Sequence, residues 1–344
     1  MPSPESPMSS TPPVSSVPPV SKITLEALHA ATALVHAAMP PTPQYRWPLL
    51  EQVIGTETWV KHENHTPTGA FKVRGGLCYV DALVRRLPAV RGIVSATRGN
   101  HGQSMARAAR DAGVPAVIVV PHGNSVEKNA AMRGFGAELI EHGADFDAAR
   151  VEAQRIAVER GLELVPPFHP DLVLGVASYA MELFAAVADL HTVYVPIGCG
   201  SGICALIAAR DALGLSTRIV GVVSTAADAA RQAFESGTPG QTDSAATFAD
   251  GMAVRAVVPD AFAVYRTGAE RIVAVDDDAL AEAMRLLFRT THNVAEGAGA
   301  APLAALLQER EAMAGRRVAI ILCGGNVDSE VFRTVLEGRT PAAG

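Results

Sequence analysis

Glu63-Asn64-His65-Thr66-Pro67-Thr68-Gly69-Ala70-Phe71-Lys72-Val73-Arg74-Gly75-Gly76 is the stretch on which the reading of this chain turns. Lys72 follows an aromatic residue and stands just ahead of two glycines. An amine attacks a carbonyl only when unprotonated, and a partly buried, positively surrounded position supplies that form by lowering the lysine pKa. A lysine taken alone is most often a solvated helix residue, so the weight falls on what accompanies it. Working outward, three further glycine-bearing motifs appear: Ser95-Ala96-Thr97-Arg98-Gly99-Asn100-His101-Gly102, Gly198-Cys199-Gly200-Ser201-Gly202 and Cys323-Gly324-Gly325-Asn326.

Each of these three follows a short apolar run. Gly92 to Ser95, Val193 to Pro196 and Val318 to Leu322, together with Ala116 to Val120 and Ile219 to Val223, predict buried parallel strands, neighboured by alanine-rich helical segments. That pattern is α/β, and open α/β sheets bind ligands at the carboxyl ends of their strands, where the glycine-rich turns fall. Leu25, Leu28, Ala31 and Leu34 recur at helical spacing behind Thr24, which predicts a first amphipathic helix with Thr24 as its N-cap.

Together the motifs resemble the fold-type II pyridoxal phosphate enzymes, and within them the threonine/serine dehydratase branch, whose lysine motif reads much like Phe71-Lys72-Val73-Arg74-Gly75. The branch includes serine racemase-like, phenylserine dehydratase-like and hydroxyectoine-utilisation members. The resemblance runs from about Ile23 to about Leu336 and takes in Val165-Pro166-Pro167-Phe168, Phe248-Ala249-Asp250-Gly251-Met252-Ala253-Val254 and Val294-Ala295-Glu296-Gly297-Ala298-Gly299-Ala300. It implies a tryptophan synthase β-like fold: two open, twisted, mostly parallel sheets with the active site between them. The small domain would be 92–168, the large one 21–91 plus 169–338, and 1–20 a disordered Pro/Ser-rich tail.

The same resemblance assigns roles. Lys72 would carry the cofactor and act as the catalytic base. Gly198, Cys199, Gly200, Ser201 and Gly202 would cup the cofactor phosphate at a helix N-terminus. The family usually has four glycines there, and this chain has Cys199 and Ser201 at two of those positions; Ser201 could add a hydroxyl donor, while Cys199 has no assigned role. Cys323 would face the pyridine nitrogen as a neutral partner, favouring prompt loss of a β-substituent. Asn100 would meet the cofactor's 3-hydroxyl, and the segment Thr97, Arg98, Gly99, Asn100 and His101 would receive the substrate carboxylate. Gly251 and Glu296 match cofactor-side positions, and Phe71 is either a platform beside the ring or a core aromatic. Arg98 departs from the family, where a small residue is common and a serine there supports racemisation in some relatives. Arginine cannot act as that acid/base, so little racemisation is expected; Arg98 either binds a substrate carboxylate or points to solvent.

Composition excludes other classes. The 344 residues, 49% hydrophobic and 19% charged with net charge -6, suit a large buried core in two domains and show no basic cluster for nucleic acid or an anionic membrane. No apolar run approaches the ~20 residues of a membrane span, and no signal peptide is legible, which places the chain in the cytoplasm. Cys78, Cys199, Cys204 and Cys323 lack CxxC spacing and read as free thiols. No metal site is expected: Val223 and Ala229 stand where some relatives have cation-binding acids, and Asp228 is the residue that could overturn this. The chain stops near Gly344, so the C-terminal regulatory domain of biosynthetic dehydratases is not expected.

The expected activity is dehydration of an L-β-hydroxy-α-amino acid to a 2-keto acid and ammonia by a homodimer or homotetramer. Threonine or serine is the default substrate. Leu174-Gly175-Val176-Ala177-Ser178-Tyr179 and Thr66-Pro67-Thr68-Gly69-Ala70 differ from the threonine dehydratase pattern, which keeps phenylserine and hydroxyectoine-derived amino acids open. The rival is cysteine synthase-like β-replacement, which sulfide-dependent product formation would reveal.

Overall fold

The computed structural model describes residues 20–343. Ten strands form two sheets: β1 (Gln44–Arg46), β2 (Glu57–His62), β3 (Ile93–Ala96), β4 (Ala116–Val120), β5 (Glu138–Glu141), β6 (Glu163–Leu164), β7 (Thr192–Pro196), β8 (Arg218–Ser224), β9 (Arg271–Val275) and β10 (Arg317–Leu322). The larger sheet has the order β1-β2-β10-β7-β8-β9 and the smaller β5-β4-β3-β6. Every pairing is parallel except that of β1 with β2. The α/β fold of two open, mostly parallel sheets is therefore present.

The five strands expected from apolar runs are found, with ends that move by a residue at most. Central strands of a parallel sheet are covered on both faces, so their sequences become continuous hydrophobic runs, and β4, β7 and β10 are buried almost throughout. β2 was not foreseen. It lies beside β10 in the larger sheet, yet Thr58, Lys61 and His62 within it are polar and fully buried. The helix Leu25–Ala38 forms as expected, with Thr24 Oγ1 accepting from the amide of Ala27 at 3.2 Å.

Residues 1–19 of the Pro/Ser-rich stretch lie outside the described residues, and Val20, its last member, is buried at the edge of the main core. That core fills the larger sheet and the helices Pro170–Ala186, Ser201–Ala212 and Gly297–Gln308. A second cluster joins β3 and β4 to Ala31, Val35 and Met39 and to Val73, Leu77, Val80 and Leu83. The helices Leu25–Ala38 and Lys72–Arg86 therefore pack toward the smaller sheet, although they precede residue 92 in the chain. Among the described residues, no helix is long and apolar enough to cross a membrane.

Candidate active site

Lys72 opens the helix Lys72–Arg86, and its position is fixed from the larger sheet. The Phe71 amide donates to the Cys323 carbonyl at 2.9 Å, just past the end of β10, and the Gly325 amide donates to Gly69 at 2.9 Å. Gly69 has φ 68°, and a Cβ there would stand 2.4 Å from Asn326 Oδ1, so glycine answers both the turn and the close approach. From the other side, Ser104 Oγ donates to the Lys72 carbonyl at 2.6 Å. The Lys72 amine lies 4.7 Å from the Phe71 ring centroid and makes no hydrogen bond or ion pair among the described residues.

The turn after β7 is an open anion cradle. The amides of Gly198, Cys199 and Gly200 donate to no backbone carbonyl among the described residues, and they precede the first turn of the helix Ser201–Ala212. Gly200 caps that helix with φ 99°. A Cβ at Gly198 would meet the Gly251 carbonyl at 2.3 Å, and one at Gly202 would lie 3.9 Å from the Phe71 ring, so the cradle touches both the turn Asp250–Met252 and the aromatic beside Lys72. Among the described residues the Ser201 hydroxyl, at the start of this helix, has no hydrogen-bond partner and is available to a ligand. Burial raises the Cys199 thiol, against the opposing charge of Lys72, so Cys199 is a neutral neighbour of the lysine.

Cys323 is buried at the end of β10, and burial, reinforced by Glu296, pushes its thiol far above the usual range. It is a neutral group at neutral pH. Glu296 Oε1 accepts from Asn100 Nδ2 at 2.8 Å, while Asn326 Nδ2 donates to Asn100 Oδ1 at 2.9 Å. Burial drives the Glu296 carboxyl up to about 7, with Lys128 opposing and Asp250 adding to the rise. Its Oε2 has no hydrogen-bond partner among the described residues. A Cβ on Gly324 would stand 2.5 Å from Glu296 Oε1, so this glycine makes room for the carboxylate.

Backbone amides around Thr97 to His101, in the loop after β3, were expected to receive the substrate carboxylate. Two of these amides have partners within the protein: that of Thr97 donates to the Val119 carbonyl at 3.0 Å, and that of Gly99 to Thr97 Oγ1 at 2.9 Å. The Thr97 hydroxyl thus acts as the internal brace of the loop, leaving the amides of Arg98, Asn100 and His101 at the start of the helix Asn100–Asp111. Arg98 makes no ion pair among the described residues. His101 is pushed down to about 3 by burial and by the charge of Lys72, so it is a neutral ring whose buried Nε2 has no partner among the described residues. Asp228, the nearest acid to the absent cation ligands, is held by Arg231 and Gln232, each at 2.6 Å.

Sequence reasoning passed over Lys128, which is 5% exposed and pairs with Asp250, and the cluster behind the lysine helix. There Arg74, fully buried, binds Glu63 and Glu182. The Arg in Lys72-Val73-Arg74 was visible, but its partners lie 11 and 108 residues away and only the fold joins them.

An unpaired amine beside an aromatic ring, a cradle of free amides for a dianion and a neutral thiol where the lysine turn meets the end of β10 suit an aldehyde cofactor that carries a phosphate. Comparison with known proteins agrees. Residues 35–324 match the family described as pyridoxal-phosphate dependent enzyme. The chain is 34% identical over 292 residues to L-threonine ammonia-lyase of Geobacter sulfurreducens, covering 85% of this chain and 72% of that one. It is 33% identical over 307 residues to the biosynthetic L-threonine dehydratase of Haemophilus influenzae, covering 88% of this chain but only 60% of that protein. Maize serine racemase superimposes with a TM-score of 0.85 at 26% identity, over 91% of this chain and 97% of that one. The chain belongs to the pyridoxal-phosphate dependent enzymes, and within them to the threonine dehydratase family of lyases. Its cofactor is pyridoxal 5'-phosphate.

Proposed function

We propose that this protein is an ammonia-lyase that dehydrates an L-β-hydroxy-α-amino acid, threonine or serine or a bulkier one such as phenylserine, to a 2-keto acid and ammonia. The observation that carries this reading is the pairing of the buried cations. Lys61, Arg74 and Lys128 are each bound to carboxylates, whereas the Lys72 amine is bound to nothing among the described residues. A fully buried cation needs such partners, and the half-buried Lys72 does without them. An amine left without one is the group prepared for covalent and proton-transfer work.

Bound pyridoxal phosphate supplies an aldehyde for the lysine and an electron-withdrawing ring. Lys72 would hold that aldehyde, Gly198 to Ser201 the phosphate, and the neutral Cys323 thiol the ring nitrogen. In the reaction the Lys72 amine takes the α-proton at Nζ, and the β-hydroxyl leaves as water with that proton. The free amides at the start of the helix Asn100–Asp111 bind the substrate carboxylate and orient the α-carbon toward Lys72. The neutral His101 ring adds no charge beside the amine. Arg98 has no acceptor with which to take or return a proton, so the proton has one carrier, and elimination of the β-hydroxyl outruns inversion.

The experiment is 2-keto acid release by the cofactor-loaded protein over L-threonine, L-serine and L-threo-phenylserine. Release from at least one of the three is expected, and the preferred one measures the width of the pocket. Silence across the panel, with product appearing only when sulfide is added, would replace dehydration by β-replacement.

A further inference from the structure

The reading above leaves Lys128 without a role. Its helix, Val126–Gly134, follows β4 of the smaller sheet. The aliphatic stem passes directly beneath the loop after β3, because a Cβ added to Gly99 would stand 2.4 Å from Lys128 Cδ. The ammonium then crosses to the larger sheet, where it donates to Asp250 and lies 3.7 Å from Glu296 Oε2. Asp250 opens the turn whose Gly251 carbonyl abuts Gly198 of the phosphate cradle. Glu296 is the residue that accepts from Asn100. One buried side chain thus touches the substrate loop and two groups that brace the cofactor site. Nearby, Glu127 Oε1 accepts the Ser329 amide at 2.8 Å and Ser125 donates to Asp328, so the same edge of the smaller sheet is tied to the larger one at several points.

We propose that Lys128 is a positioning residue that holds the loop Thr97–His101 closed through Asp250 and Glu296, and so sets the affinity for the substrate's α-carboxylate. The turnover arm of the test rests on the lyase reading, whereas the exchange arm does not. An ammonium at this depth is stable only because two carboxylates meet it, and removing it leaves those carboxylates facing each other. The charged and titratable groups around Glu296 are Lys128 from its helix, Asp250 from its turn, Lys72 from the helix Lys72–Arg86 and the Cys323 thiol at the end of β10. Loss of Lys128 makes Glu296 harder to ionise, and loss of the Asp250 charge makes it easier. The two changes therefore push the site in opposite directions along the pH axis.

The test uses the cofactor-loaded protein with Lys128→Met, which keeps the stem under Gly99, and Asp250→Asn. In Lys128→Met the cofactor absorbance should persist, amide exchange over residues 97–103 should rise by about tenfold or more, and KM should rise by about tenfold or more with a smaller change in kcat. The acid limb of kcat/KM should move to higher pH in Lys128→Met and to lower pH in Asp250→Asn. A residue that merely filled space would move neither limb. Unchanged exchange in a cofactor-bearing Lys128→Met overturns the proposal even if no substrate has been found. Should Lys128→Met fail to fold, an acid limb in Asp250→Asn that stays put or moves upward overturns it as well.

Discussion

Behind the helix Lys72–Arg86, Arg74 is met on every side, while ahead of it Glu296 is not. Arg74 Nε donates to Glu63 at 2.7 Å, and its Nη1 donates to Glu182 at 2.6 Å and to Ser178 Oγ at 2.9 Å. Lys61 Nζ completes this rear cluster with bonds to Glu182 at 2.6 Å and to the Thr42 carbonyl at 2.7 Å. Burial works against the Glu182 carboxylate, yet Arg74 and Lys61 pull it down to about 2. In the front cluster burial prevails. Glu296 keeps an oxygen without a hydrogen bond and rises to about 7. Two buried ionic groups that flank one helix have been resolved in opposite ways, the rear toward complete pairing and the front toward an open valence beside the amine that reacts. Complete pairing fixes a scaffold, and open valences are where a ligand finds something to bind.

The largest effect should come from the residue between them. Lys72 makes no hydrogen bond or ion pair with either cluster, so Lys72→Ala should leave circular dichroism and thermal unfolding close to those of the parent while keto acid release falls by at least about 10³-fold. Near-normal turnover would remove Lys72 from the mechanism and with it the contrast between paired and unpaired cations. Breaking the rear cluster should act on stability instead. Arg74→Met leaves Glu63 and Glu182 buried with half their partners gone, which costs ~3–5 kcal/mol in unfolding free energy by urea titration. A loss below about 1 kcal/mol would mean that the rear cluster is not what seats the helix.

How far the sequence revealed this arrangement follows from the same contrast. Val193 to Pro196 and Val318 to Leu322 announce central parallel strands because both faces are apolar, and Gly198 to Gly202 and Lys72 announce the site because their chemistry is local to a few residues. β2 escaped notice because Lys61 and His62 look like surface residues; Lys61 finds its countercharge inside in Glu182, 121 positions away, and His62 accepts from the Trp47 indole at 3.0 Å. Burial holds His62 neutral, down to about 4, with His65 adding to the effect. Lys128 escaped for the same reason. In Val126-Glu127-Lys128-Asn129 it reads as a solvated residue in a first helical turn, and nothing nearby in the chain discloses Asp250. Spacing and periodicity reveal what a residue does with its neighbours in sequence, and buried charges depend on neighbours in space.

The smallest of the three effects tests the front cluster by its pH dependence. A carboxyl whose folded pKa is about 7, against an ordinary 4.5, binds a proton more tightly in the folded chain than in the unfolded one. Stability from this group is therefore fully present below about pH 4.5 and is lost as pH rises toward 7 and beyond. Glu296→Gln keeps an acceptor for Asn100 and cannot ionise. Urea midpoints of the cofactor-free parent and variant should coincide near pH 4 and diverge as pH rises, until by pH 8 the variant is the more stable by on the order of 3 kcal/mol. Glu182 works in the opposite sense, since its contribution is present above pH 4.5 and lost between there and about 2; both chains share it, so it cancels from the difference. Curves that stay parallel from pH 4 to 8 would show that Glu296 ionises as easily as an exposed acid and that the front cluster is as fully paired as the rear. Curves that diverge show a site that gives up stability at neutral pH, as expected where an unpaired buried group is kept for binding.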